Sequence, residues 1–128
     1  QRAMFNPWIT NKILRQFSEF KITADISNWT TVAERFFNNN NEKCWEELFE
    51  NFSKRTKLIH ARIGTPHAIQ IHKPQNGCEN TEYFENMWKN IVKNSNENEI
   101  YITPEYGPYP FKPLLYTKDG VINTSDIE

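Results

Sequence analysis

This chain has no excess of either charge: 15 Lys and Arg stand against 16 Asp and Glu, for a net charge of −1. A partner held mainly by electrostatics, such as nucleic acid or an anionic membrane surface, is therefore not expected. No apolar run approaches the roughly 20 residues that cross a bilayer, so no membrane span is expected either. Cysteine is reduced to Cys44 and Cys78, which fit no metal-ligand spacing. Free thiols in a reducing compartment are the expectation, ahead of a disulfide. The opening QRAMFNPW has neither the basic start nor the apolar segment of a secretion signal, and a cytoplasmic location is expected. Three Asn-x-Ser/Thr sequons, at Asn28, Asn51 and Asn123, are then read as coincidences of an Asn-rich chain. Position 1 is Gln rather than Met, so the chain is expected to be an excerpt or a processed product.

What the chain does have is aromatic residues, 14% of its 128 positions, enough to favour a packed core over disorder. That length allows one domain. The run Asn38–Asn41 reads as a low-complexity loop insertion. Asn6-Pro7 opens a helix on which Trp8, Ile9, Ile13, Leu14 and Phe17 fall near one stripe. Residues 20–27, FKITADIS, read as a strand. A helical pattern resumes near Asn28, with Val32, Ala33, Phe36 and Phe37 on one stripe and, after the Asn run, Cys44, Trp45, Leu48, Phe49 and Phe52 on another. Lys57 to Ile63 is a second strand. A long loop punctuated by Gly and Pro runs from Gly64 to Gly77, and loops longer than about 12 residues inside compact domains are usually functional or disordered. Glu79 to Lys93 is a helix with Tyr83, Phe84, Met87, Trp88, Ile91 and Val92 on its apolar side, and Glu99 to Thr103 is a third strand. Residues 114–128 are set apart as a tail.

Strands alternating with helices imply βαβ units and a parallel sheet. In such sheets ligands bind at the C-terminal ends of the strands. The three strands end at Asp25, at His60 with Arg62, and at Glu105. These are spaced widely enough for one βα repeat each, roughly 30 residues or more. Each residue has an ordinary explanation when taken singly: a helix-capping aspartate, a core histidine, a loop carboxylate. Their recurrence at three successive strand ends is a different matter. It points to a site holding Mn²⁺, Mg²⁺, Co²⁺ or Zn²⁺ through borderline-hard oxygen and nitrogen ligands. His60 and Arg62, two apart in a strand, point to one face. The Arg62 guanidinium suits a substrate oxygen or phosphate, or else a salt bridge on the rim. His67 and His72, in the long loop, are read as exposed rather than as a zinc site.

The stretches ITADISNWTTVAERF, LIHARIGTPHAIQIHKP and ITPEYGP resemble the closing part of the xylose-isomerase-like TIM barrels, the group of sugar phosphate isomerases and epimerases. The resemblance runs roughly from Met4 to Pro113. It is most specific at Asp25, His60-x-Arg62-x-Gly64, Gln70 with Pro74, Trp88, and Pro104-Glu105-x-Gly107-Pro108. The resemblance implies an α/β fold, the C-terminal portion of a (β/α)8 barrel over residues 1–113, with about three parallel strands and their helices. It implies a divalent metal held by Glu, Asp, His and Glu, of which Asp25, His60 and Glu105 match the last three and the first lies before Gln1. Glu105 would serve as ligand and as acid/base, Arg62 would orient substrate oxygens, and the Gly64–Gly77 loop with Gln70 would cover the sugar. Asn28 stands where relatives often carry a substrate-binding histidine; it can hydrogen-bond a hydroxyl but has no acid/base role at neutral pH. The reaction implied is proton transfer next to a carbonyl through an enediolate, on a sugar or sugar phosphate. With one carboxylate outside the chain, the activity is expected to be incomplete, requiring a longer chain, a complementing barrel half or a homo-oligomer. The alternatives are a non-catalytic binding module and an endonuclease-IV-like metal-dependent nuclease. The charge balance and the presence of only three histidines weigh against the nuclease.

Overall fold

The computed structural model describes residues 3–37, 43–71, 74–107, 114–117 and 120–123. Strands β1 (Ile22–Ala24), β2 (Thr56–Ala61) and β3 (Tyr101–Pro104) form a parallel sheet with β2 in the centre. Its register pairs Ala24 with Ile59 on one side of β2 and Ile59 with Ile102 on the other. Helices α1 (Pro7–Gln16), α2 (Ile26–Ala33), α3 (Lys43–Ser53) and α4 (Glu79–Asn94) complete an α/β arrangement. A short 3-10 helix, Ala3–Phe5, precedes α1. Among the described residues no helix is long and apolar enough to cross a membrane.

Local chemistry sets the element ends. The Asn6 side chain accepts hydrogen bonds from the Trp8 and Ile9 backbone N–H groups, and Pro7, with no N–H to satisfy, takes the first helical position of α1. Strand β1 is much shorter than the expected stretch of residues 20–27. The cause is Asp25, which leaves the strand to cap α2 and starts that helix at Ile26. Helix α2 stops at Glu34, whose φ of 54° is left-handed backbone rarely adopted outside glycine.

The core joins helices and sheet in one cluster. Leu14, Ile26, Phe52, Ile59, Phe84 and Ile91 are all fully buried. Trp45 stacks on Phe37 with ring centroids 3.6 Å apart, and Phe52 meets Trp29 edge-on at 4.5 Å. Each such side chain contributes about 1.5–3 kcal/mol by leaving water. The stripe expected on α3 faces this core through Trp45, Leu48, Phe49 and Phe52. The side chain of Cys44 lies outside the described residues, and Cys78 is a free thiol.

The apolar stripes expected on three helices need correction. On α1 the buried face is Pro7, Thr10 and Leu14, while Trp8, Ile9 and Phe17 are exposed. Thr10 goes inside because its hydroxyl donates to the carbonyls of Met4 and Asn6. On α4 and α2, Val92 and Val32 are exposed. Strand β3 is an edge strand with Tyr101 and Ile102 more than half exposed. Within the stretch set apart as a tail, β4 (Leu114–Thr117) and β5 (Gly120–Asn123) pair as an antiparallel hairpin. The Asn38–Asn41 run lies outside the described residues.

Candidate metal centre

The site is built where the three parallel strands end. Asp25 follows β1, and as the cap of α2 its Oδ1 accepts from the Asn28 backbone N–H at 3.4 Å and from the Ser27 hydroxyl at 2.6 Å. That leaves Oδ2 turned toward β2. Glu105 follows β3, and its backbone N–H donates to the Ala61 carbonyl at 3.1 Å, which extends the β2–β3 ladder by one residue. Strand β2 closes with the Arg62 N–H donating back to the His60 carbonyl at 3.0 Å. Regular alternation thus ends at Ala61. His60 and Arg62 nevertheless reach the same pair of carboxylates.

His60 Nδ1 lies 3.1 Å from Glu105 Oε2 and 3.9 Å from Asp25 Oδ2. One ligand atom from each of Asp25, His60 and Glu105 falls within 4.8 Å of the others. Ligand atoms around a cation with bonds of about 2.1 Å sit about 3.0–3.4 Å apart; the His60–Glu105 separation already fits that spacing, and Asp25 would have to move closer to share the ion. A second feature fits as well. Glu105 Oε2 is buried and has no hydrogen-bond partner among the described residues, despite its closeness to the imidazole. A buried carboxylate oxygen without a donor costs free energy that a cation would recover.

Arg62 occupies the other side of the carboxylates and is only 5% exposed. Its Nη2 donates to Asp25 Oδ2 at 2.5 Å and to Asn28 Oδ1 at 3.3 Å. Its Nη1 donates to Glu105 Oε1 at 3.3 Å, and its Nε to the Ser27 hydroxyl at 2.9 Å. Four donations leave one of the five guanidinium N–H groups for anything else. The salt bridge weighed in the sequence is therefore present, and Arg62 is turned to the two carboxylates more than to open space.

Asn28, expected from the sequence to bind substrate, lies beside Asp25, and its Nδ2 donates to Asp25 Oδ2 at 2.8 Å. Gln70 sits elsewhere. It is buried, and its amide is spent on the backbone of Gly107, donating to the carbonyl at 3.1 Å and accepting from the N–H at 3.0 Å. It bears on the site by holding the segment that carries Glu105, not by facing a ligand. The long loop folds back because the Ile71 N–H donates to the Ile63 carbonyl at 2.9 Å. Gly64 permits that fold: a Cβ there would come within 2.7 Å of the Ala68 carbonyl oxygen. His67 is exposed in this loop and belongs to no metal-sized group among the described residues, while His72 lies outside them. Ser27 was not singled out in the sequence; an Asp-x-Ser pair opening a helix is the signal that would have found it.

A cavity of about 340 Å³ opens beside the cluster. Asp25, Asn28 and His60 give it a polar wall, and Met4, Phe5 and Trp29 an apolar one. The apolar wall is tied down by the Trp29 indole N–H, which donates to the Met4 carbonyl at 3.0 Å. Pockets of this size with a few convergent polar groups suit small molecules. Compared with known protein families, curated proteins and solved structures, the chain matches none.

Proposed function

We propose that the chain is a sector of a xylose-isomerase-like (β/α)8 barrel and serves a divalent-metal-dependent isomerase or epimerase acting on a sugar or sugar phosphate. The observation that carries this reading is the meeting of Asp25, His60 and Glu105 at the C-terminal ends of three parallel strands, with Glu105 Oε2 buried and undonated. Three protein ligands leave coordination positions for substrate oxygens. A divalent cation bound there would supply Lewis acidity to a carbonyl or hydroxyl oxygen. Glu105 would accept the proton from the carbon next to that carbonyl, a role supported by Arg62 holding the carboxylate by Oε1. Asn28 and His60 form the wall against which hydroxyls would lie.

The test is solvent exchange. The protein is incubated with Mn²⁺ and a panel of ketoses and their phosphates in D₂O. Deuterium should enter the carbon beside the carbonyl of at least one of them, and Glu105→Gln should abolish it. No exchange in any member of the panel by the metal-loaded protein would defeat the reading. A binding module is the second reading, favoured by Arg62 already pairing with Asp25 and Glu105. It would show sugar binding without exchange.

A further inference from the structure

Asp25 Oδ2 presents a conflict. A carboxylate oxygen has about two acceptor positions. Both are taken here, by Asn28 Nδ2 at 2.8 Å and by Arg62 Nη2. This same oxygen is the one nearer the imidazole, 3.9 Å from His60 Nδ1. A cation shared by Asp25 and His60 must therefore displace one of the two donors. The guanidinium is the one that repels a cation, so it is the one to leave. It need not travel far, since Ser27 Oγ at 2.9 Å and Glu105 Oε1 at 3.3 Å still anchor Nε and Nη1.

We propose that Arg62 is an internal counter-cation of this site: it occupies Asp25 Oδ2 when no metal is bound, and it is displaced from that oxygen when a divalent metal enters. The inference rests on the metal-site reading above and adds a competition to it. Arg62 neutralises one of the two facing carboxylates and so stabilises the metal-free fold, at the expense of metal affinity. Two like charges a few ångströms apart in a partly buried site interact strongly enough to shift binding by an order of magnitude.

The experiment is a calorimetric titration of the wild type, Arg62→Met and Arg62→Lys with Mn²⁺, alongside thermal melts with and without the ion. Arg62→Met should bind Mn²⁺ at least about tenfold more tightly than the wild type. Its metal-free form should melt lower, so the rise on adding metal should be larger. Arg62→Lys, which keeps the charge without the fork, should gain less. A readout that needs no variant is side-chain NMR of the wild type: the Arg62 signals should shift in step with the addition of diamagnetic Zn²⁺. Equal or weaker Mn²⁺ binding in Arg62→Met, or Arg62 signals that stay put while Zn²⁺ binds, would overturn the competition and leave the metal site standing. A wild type that binds neither ion would remove the metal site itself.

Discussion

Ile59 and His60 are neighbours in β2 and belong to different interiors. Ile59 is fully buried among Trp, Phe and Ile side chains, where contacts are non-directional and their number decides the stability. His60 is about a third exposed and stands among two carboxylates and a guanidinium, where orientation and charge decide. The apolar layer is expected to hold the fold, and the polar cluster to cost stability while preparing a ligand site. The largest effect should therefore come from the core. Phe52→Ala, at a fully buried position packed by Trp29, Trp45 and Phe49, should lose about 3–5 kcal/mol in urea unfolding. A loss below about 1 kcal/mol would erase the contrast.

Arg62→Met should come next. Breaking a buried ion pair costs about 3–5 kcal/mol, but the Glu105 side chain as a whole is 39% exposed, and solvent reduces this to about 2 kcal/mol. Added Mn²⁺ should stabilise this variant more than it stabilises the wild type, whereas Phe52→Ala, which keeps the site, should gain only as much as the wild type. Gln70→Ala tests the link between the two regions. It strips two hydrogen bonds from Gly107, and a loss of about 1–2 kcal/mol is expected, together with weaker Mn²⁺ binding because Glu105 is no longer held. Unchanged metal affinity would show that Glu105 is positioned by β3 alone.

The smallest effect concerns pH. Burial pushes the Tyr83 phenol up, although hydrogen bonds, first among them one from the Phe37 N–H, pull the other way. The folded state therefore prefers the protonated phenol. Its contribution is fully present below the ordinary value of about 10 and is lost as pH rises through the higher folded value. Tyr83→Phe should cost about 1 kcal/mol near neutrality by removing the acceptor at Phe37, and should flatten the alkaline decline. An alkaline unfolding curve identical to the wild type would assign that decline to other groups.

How much of this could be read from the residues follows from how local each signal is. The α/β alternation was legible because α3 and α4 carry long apolar stripes and β2 is an uninterrupted run. Asp25, His60 and Glu105 were legible as strand ends, which topology brings together in a parallel sheet. The partners of Arg62 were not, because a side chain of that length chooses among carboxylates only once they are placed in space. The partner of Gln70 is hidden in the sequence for the same reason: its buried amide answers the backbone of a residue 37 positions away. The exposed Trp8 and Ile9 on α1 show that apolar spacing loses to a capped helix start that turns Pro7, Thr10 and Leu14 inward. The exposure of β3 reflects its place at the sheet edge, which no periodicity encodes. The hairpin of β4 and β5 has only a weak local signal, the two polar residues Lys118-Asp119 between Leu114–Thr117 and Gly120–Asn123.

The most direct measurement is a Mn²⁺ titration of the wild type beside His60→Ala and Glu105→Gln, with circular dichroism to establish that each variant keeps the fold. Saturable binding of one ion by the wild type, weakened at least about a hundredfold in both folded variants, is the expected result. Equal binding by the wild type and both variants would place any metal elsewhere and reduce the meeting of Asp25, His60 and Glu105 to a structural ion-pair network.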